Sequence, residues 1–137
     1  MKNWNVFIVL IVFLACSQEP QNSSNDSTSK TFLQPQDLVG RTIEYRYGES
    51  VYHVTIDSDH EMHWEAMAGD EKGVKEEETY KIEKVNDTQF FITWGEANGI
   101  GVSQILDFEN GTVYNHLLRG RDISMSRGEI RLLEKAE

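Results

Sequence analysis

From Gly40 onward no run of ten residues keeps its apolar side chains at helical spacing, while an alternation of period two returns between one turn signal and the next. That pattern limits the chain to strands more firmly than any other feature. In 41–47 the residues Ile43, Tyr45 and Tyr47 share a face, in 51–57 Tyr52, Val54 and Ile56, and in 61–66 Met62, Trp64 and Ala66. Tyr80 and Ile82 stay in phase within 76–85, as do Phe90, Ile92 and Trp94 within 90–94. Further strands are expected over 102–108, 112–118, 123–127 and 130–133. Gly48-Glu49-Ser50, Ser58-Asp59-His60, Asn86-Asp87 and Glu109-Asn110-Gly111 read as turns, and 67–75 and 95–101 as glycine-bearing loops. Ahead of the strands, 33–39 has room for one helical turn, with Pro35 at its start and Gly40 at its end.

Strands this short, joined by tight turns, predict an all-β, antiparallel, up-and-down meander. An open sheet would leave two edges of unpaired backbone groups, and closure into a barrel removes both. About eight strands make an interior just wide enough to be filled by side chains or to hold one small ligand. An open sandwich is the alternative. The material for this domain is residues 31–137, because the first 30 residues have another character.

Residues 1–15 hold one lysine, Lys2, no acid, and an unbroken apolar run from Val6 to Ala15. Ten apolar residues are too few to span a bilayer, which takes about 20, and the run reads as the h-region of a signal peptide. It ends at Cys16, the one cysteine of the chain, so neither an intrachain disulfide nor a cysteine zinc site is open to it. Residues 17–30 hold five Ser, two Asn and one Thr and can bury little, so 16–30 is expected to be a flexible tether. Phe13-Leu14-Ala15-Cys16 resembles a bacterial lipobox. The resemblance implies cleavage before Cys16 and acyl chains on it, hence a lipoprotein of the bacterial cell envelope whose partner is the lipid bilayer. Ser17 after the cysteine favours the outer membrane over the inner in an enteric-type cell.

Charge narrows the partners. Against 23 acids there are 13 Lys and Arg; without residues 1–15 and their one lysine the balance is 12 − 23 = −11. Nucleic acid, which needs a basic face to displace counterions, is excluded. An anionic bilayer is repelled too, so attachment would depend on the acyl chains. The run Glu76-Glu77-Glu78, with Asp70 and Glu71 nearby, reads as solvated strand edge and loop.

Candidate site residues follow from phase. Tyr45 and Tyr47 share one face, and so do Trp94 and Glu96 if that strand runs on. If this face is interior, Glu96 sits at the barrel mouth among phenols and an indole, where desolvation would raise its pKa and suit it to act as a general acid. Tyr45, Tyr47, Tyr52, Trp64, Trp94 and Glu96 are the expected ligand-binding set: the rings would stack a small aromatic or flat ligand and Glu96 would orient one polar group. The bland alternative is a packed interior with the tyrosine hydroxyls at its rim. His53 opposes Tyr52 and Val54 in phase and should face outward. Asp57, Asp59, His60, Glu61 and His63 make a polar hairpin tip rather than a metal site, and His116 is an ordinary strand position. No metal and no cofactor is expected.

The run Tyr45-x-Tyr47-x4-Tyr52, followed by Phe91-x-x-Trp94-x-Glu96, a glycine loop and Val102-Ser103-x-x-Leu106-Asp107, resembles MoaF-like proteins and the related phenolic acid decarboxylases. The resemblance covers about Val39 to Leu118 and implies a calycin-type, lipocalin-like barrel. It further implies that Tyr45 and Tyr47 would hold a substrate carboxylate and that Glu96 would handle the proton, the catalytic set of an enzyme. Those enzymes pair the tyrosines with an arginine from the loop after the third strand. Here that loop offers Lys72 and Lys75 and no arginine, and lysine does not reproduce a bidentate fork. Ala97 stands where they carry proline.

Overall fold

In the computed structural model, residues 33–133 are described; the expected signal peptide, Cys16 and the expected tether lie outside the described residues. A 3-10 turn, Pro35–Leu38, precedes eight strands: β1 Thr42–Tyr47, β2 Ser50–Ile56, β3 Glu61–Ala68, β4 Lys75–Lys84, β5 Gln89–Gly95, β6 Ile100–Asp107, β7 Thr112–Arg119 and β8 Asp122–Leu132. Each pairs antiparallel with the next, and β8 returns to β1, so the sheet closes into a barrel in sequence order. The open sandwich is thereby ruled out.

The expected inward faces are inward. Ile43 and Tyr45, Val54 and Ile56, Met62, Trp64 and Ala66, Tyr80, and Phe90 and Ile92 are all buried in one core. Three boundaries differ from expectation by two residues or more, the first being β6, which begins at Ile100 rather than 102. β3 runs on to Ala68, which shortens the following loop to 69–74. The two strands expected over 123–127 and 130–133 are one strand of 11 residues that passes straight through Gly128. A β-carbon on Gly128 would stand 2.6 Å from the Arg46 carbonyl oxygen and from the Tyr47 ring. The glycine is therefore not a break but the point where β8 lies against the end of β1.

The barrel is filled unevenly. At the end where β1 begins, Leu38 of the 3-10 turn is fully buried with Ile43, Ile56, Met62, Phe90, Leu106 and Val113. Phe90 meets Phe108 edge to face at 5.8 Å, and the Tyr80 hydroxyl donates to the Ser58 carbonyl at 2.8 Å, tying the β2–β3 turn to the core. On the outer wall Glu44 of β1 accepts from Arg131 of β8 at 3.0 and 3.3 Å and from Arg46 at 3.3 Å. The Arg131 hydrogen bonds are the main reason its carboxyl is held down at about 2. The seam contribution from Glu44 is thus complete above its ordinary carboxylate range and fades only as pH falls towards 2.

Candidate functional site

Towards the other end of the barrel the filling stops and a cavity of about 330 Å³ opens. Period two carries each strand's inward face up to it. β1 contributes Tyr45 and Tyr47, β2 Tyr52, β3 Trp64, β4 Glu76 and β5 Trp94, with Glu96 just beyond β5. All six residues singled out by phase, Tyr45, Tyr47, Tyr52, Trp64, Trp94 and Glu96, line this one cavity. Tyr47 meets Tyr52 edge to face at 6.4 Å, and Tyr52 meets Trp64 likewise at 6.0 Å, so three rings brace one another along one wall.

The opposite wall is polar. The Gln104 amide of β6 donates to the Asn115 side-chain oxygen at 3.1 Å and to the Tyr47 hydroxyl at 3.4 Å. Asn115 of β7 donates to the Ser126 hydroxyl of β8 at 3.4 Å. Gln104 and Asn115 are direct cross-strand partners, as are Asn115 and Ser126, which is why three strands can lay one chain of hydrogen bonds across the interior.

The third element is acidic, and part of it comes from the charge run expected on the outside. The run Glu76-Glu77-Glu78 is not wholly solvated strand edge. Only Glu77 is exposed; Glu78 is buried and Glu76 lines the cavity. Both lie in phase with the buried Tyr80, two and four residues before it, and that spacing was the available signal. Burial, and then Glu76 beside it, pushes the Glu78 carboxyl up to about 7. Glu96 is also raised, by burial first and by Glu76 and Glu71, against a 3.0 Å hydrogen bond from Asn98. Glu71, on the β3–β4 loop, accepts from the Tyr52 hydroxyl at 2.7 Å and so hangs that loop at the mouth. Burial, then this carboxylate, pushes the Tyr52 phenol up to about 12, while burial holds Tyr45 and Tyr47 well above the usual phenol range. At neutral pH all three are neutral hydroxyls.

Several polar atoms in and beside this cavity have no hydrogen-bond partner among the described residues: the Tyr45 hydroxyl, the Trp64 and Trp94 indole nitrogens, one oxygen each of Glu76 and Glu78, and the Gln104 oxygen. The two indoles lie near enough to Glu78 and Glu96 to favour their ionised forms without completing hydrogen bonds.

The remaining polar residues fall elsewhere. His53 is on the outer wall near Glu44, at 3.4 Å. His63 meets Asp57 at 2.7 Å and His60 pairs with Asp59 at the exposed β2–β3 tip. His116 sits across from Met125 in the β7–β8 ladder. A wider groove, about 880 Å³, runs along the outer β1–β8 seam past Arg46, Gly128 and Arg131; it has no aromatic side chain in its lining. Among the described residues no cluster of three His, Cys, Asp or Glu could hold a metal ion.

Comparison with known proteins adds two findings. A family model described as MoaF-like matches residues 39–131. The crystal structure of a Burkholderia vietnamiensis protein provisionally named a beta-lactamase matches with a TM-score of 0.66 at 25% identity, over 74% of this chain and 100% of that one. No curated protein matches the sequence.

Proposed function

The chain belongs to the MoaF-like family, and on that premise we propose that it is a binding barrel that takes a small aromatic or flat ligand into its open end and is held at a membrane by lipid on Cys16. The observation that carries the binding half is the uneven filling. One end is packed solid, while the other keeps a walled cavity whose buried polar atoms lack partners. Buried polar groups without partners cost stability, and a ligand that supplies those partners recovers it.

Binding is favoured over catalysis by the lining. A decarboxylase-type reading would use Glu96 as acid and Tyr45 and Tyr47 as clamp, and it needs a cationic anchor beside them. Arg46 instead points to Glu44 on the outer wall, and Arg119 and Arg121 are exposed at the β7–β8 turn. A serine hydrolase reading, suggested by the name of the Burkholderia protein, has the Ser50 and Ser126 hydroxyls on the lining but no lysine or histidine there to serve as base.

Every residue of the core falls within residues 31–137, which form a compact unit. A thermal-shift screen of that unit against aromatic molecules of positive, neutral and negative charge tests the reading. A ligand at 100 times its dissociation constant is expected to add about 2.7 kcal/mol. A flat response across the whole panel would count against a binding cavity. For the anchor, Cys16→Ala is expected to move the full-length protein from the membrane fraction to the soluble one. Each buried methylene of an acyl chain contributes about 0.8 kcal/mol, and the acidic domain supplies no attraction of its own to an anionic surface. Membrane association undiminished by the substitution would remove the lipid from the account.

A further inference from the structure

The chemistry of the cavity wall narrows the ligand class. Three carboxylates, Glu71, Glu76 and Glu96, line it, with Glu78 buried beside Glu76, and no lysine, arginine or histidine is on the lining. The titratable groups facing the space are these acids and the neutral phenols of Tyr45, Tyr47 and Tyr52; β3, β6, β7 and β8 contribute Trp64, Gln104, Asn115 and Ser126, which carry no charge. A cluster of acids alone would be only a repulsive patch. Here a second observation accompanies it: deeply buried side chains around the same cavity each hold a polar atom with no partner. Tyr45 is 1% exposed, Gln104 5% and Trp64 8%.

The free acceptors on the lining are one oxygen of Glu76 and the Gln104 amide oxygen, with one oxygen of Glu78 behind them; the free donors are the Tyr45 hydroxyl and the indole nitrogens of Trp64 and Trp94, the last two beside carboxylates. An ammonium group has three donors and no acceptor, which suits the acceptors of that set and the carboxylates around them. The rings favour the same charge, since an aromatic face is the negative end of its quadrupole and attracts a desolvated cation. A carboxylate ligand would meet like charge on every acidic side and no cationic partner to offset its desolvation.

We propose that the open end of the barrel binds a small organic cation, a primary ammonium on a flat or aromatic body, with Glu76 and Glu96 as the charge partners and Tyr47, Tyr52 and Trp64 as the aromatic wall. This rests on the reading that the cavity takes a small molecule at all, and the test separates the two. Benzylammonium, benzyl alcohol and benzoate share one ring and differ in charge. Titrated calorimetrically into residues 31–137 at pH 7.5 and low salt, benzylammonium is expected to bind about tenfold more tightly than benzyl alcohol, the factor that about 1.4 kcal/mol of cation recognition produces. Benzoate is expected to bind most weakly. Glu76→Gln should narrow the ratio between benzylammonium and benzyl alcohol. Should that variant not fold, a salt titration of the unmodified protein replaces it, since higher salt should weaken benzylammonium and leave benzyl alcohol unmoved. Equal binding of all three probes, or a preference for benzoate, overturns the cation assignment and leaves the binding cavity standing. If none of the three binds, both readings fall.

Discussion

Gly128→Ala is expected to be among the most damaging single-methyl changes in this protein, lowering stability by about 3 kcal/mol, at the upper end of what overpacking costs. The added carbon would sit 2.6 Å from two neighbours at once. The Tyr47 ring could swing away, but the Arg46 carbonyl belongs to a backbone paired in register with Glu129 of β8 and cannot. Relief would have to come from parting β1 and β8, the one seam that turns a sheet into a barrel. Displacing Tyr47 would also disturb the cavity wall, so ligand binding should weaken along with stability. Gly101→Ala is the control. It sits in β6 with its nearest foreign atom at 3.7 Å, an ordinary contact, and should cost less than about 1 kcal/mol. Urea unfolding of both variants measures the difference. A Gly128→Ala protein within about 0.5 kcal/mol of the parent would show that the seam yields easily.

The second large effect concerns Glu78. Burial and the neighbouring Glu76 push its carboxyl up to about 7 in the fold, against its ordinary value of 4.5 once unfolded. Between those values the folded protein holds the extra proton, so stability must fall as pH rises from about 5 to 8. The fall is expected to be on the order of 2 kcal/mol. Glu96, raised by burial, acts in the same direction. The exposed His60 beside Asp59 is raised as well, with solvent screening most of its effect. Glu44 stays ionised across this window and contributes no slope to it. Glu78→Gln keeps the shape and removes the proton, so its stability should be higher than the parent's at pH 8 and its slope flatter. Unfolding midpoints from pH 5 to 8 decide the matter; parallel curves for the two proteins would mean that Glu78 is ordinary in the fold.

The inward face of the barrel was legible from phase alone. Ile43 and Tyr45, Met62 and Trp64, and Phe90 and Ile92 are buried because a strand sends every second side chain to the same side, a property of a few bonded neighbours. The same rule applied to β4 would have brought Glu76 and Glu78 inward beside Tyr80. What hid them is that acids in a row usually mark a solvated surface, and the sequence does not say at which height along the barrel a strand's inward residues stop meeting apolar ones. Gly128 was misread for a related reason. A lone glycine within alternating residues looks like a break, and its actual cause, the Arg46 carbonyl and the Tyr47 ring, lies some 80 positions earlier in the chain.

The sequence by itself determined the strand content, the absence of a long helix after Gly40, the antiparallel meander and the sidedness of the aromatic residues, since all of these depend on local geometry and short turns. Only the tertiary structure decided that β8 closes on β1, that Leu38 and the aliphatic residues fill one end, and that Glu71, Glu76, Glu78 and Glu96 converge with the rings of Tyr47, Tyr52 and Trp64 at the other. The stagger of eight strands sets that depth, and stagger is a sum over non-local pairings that no single strand encodes.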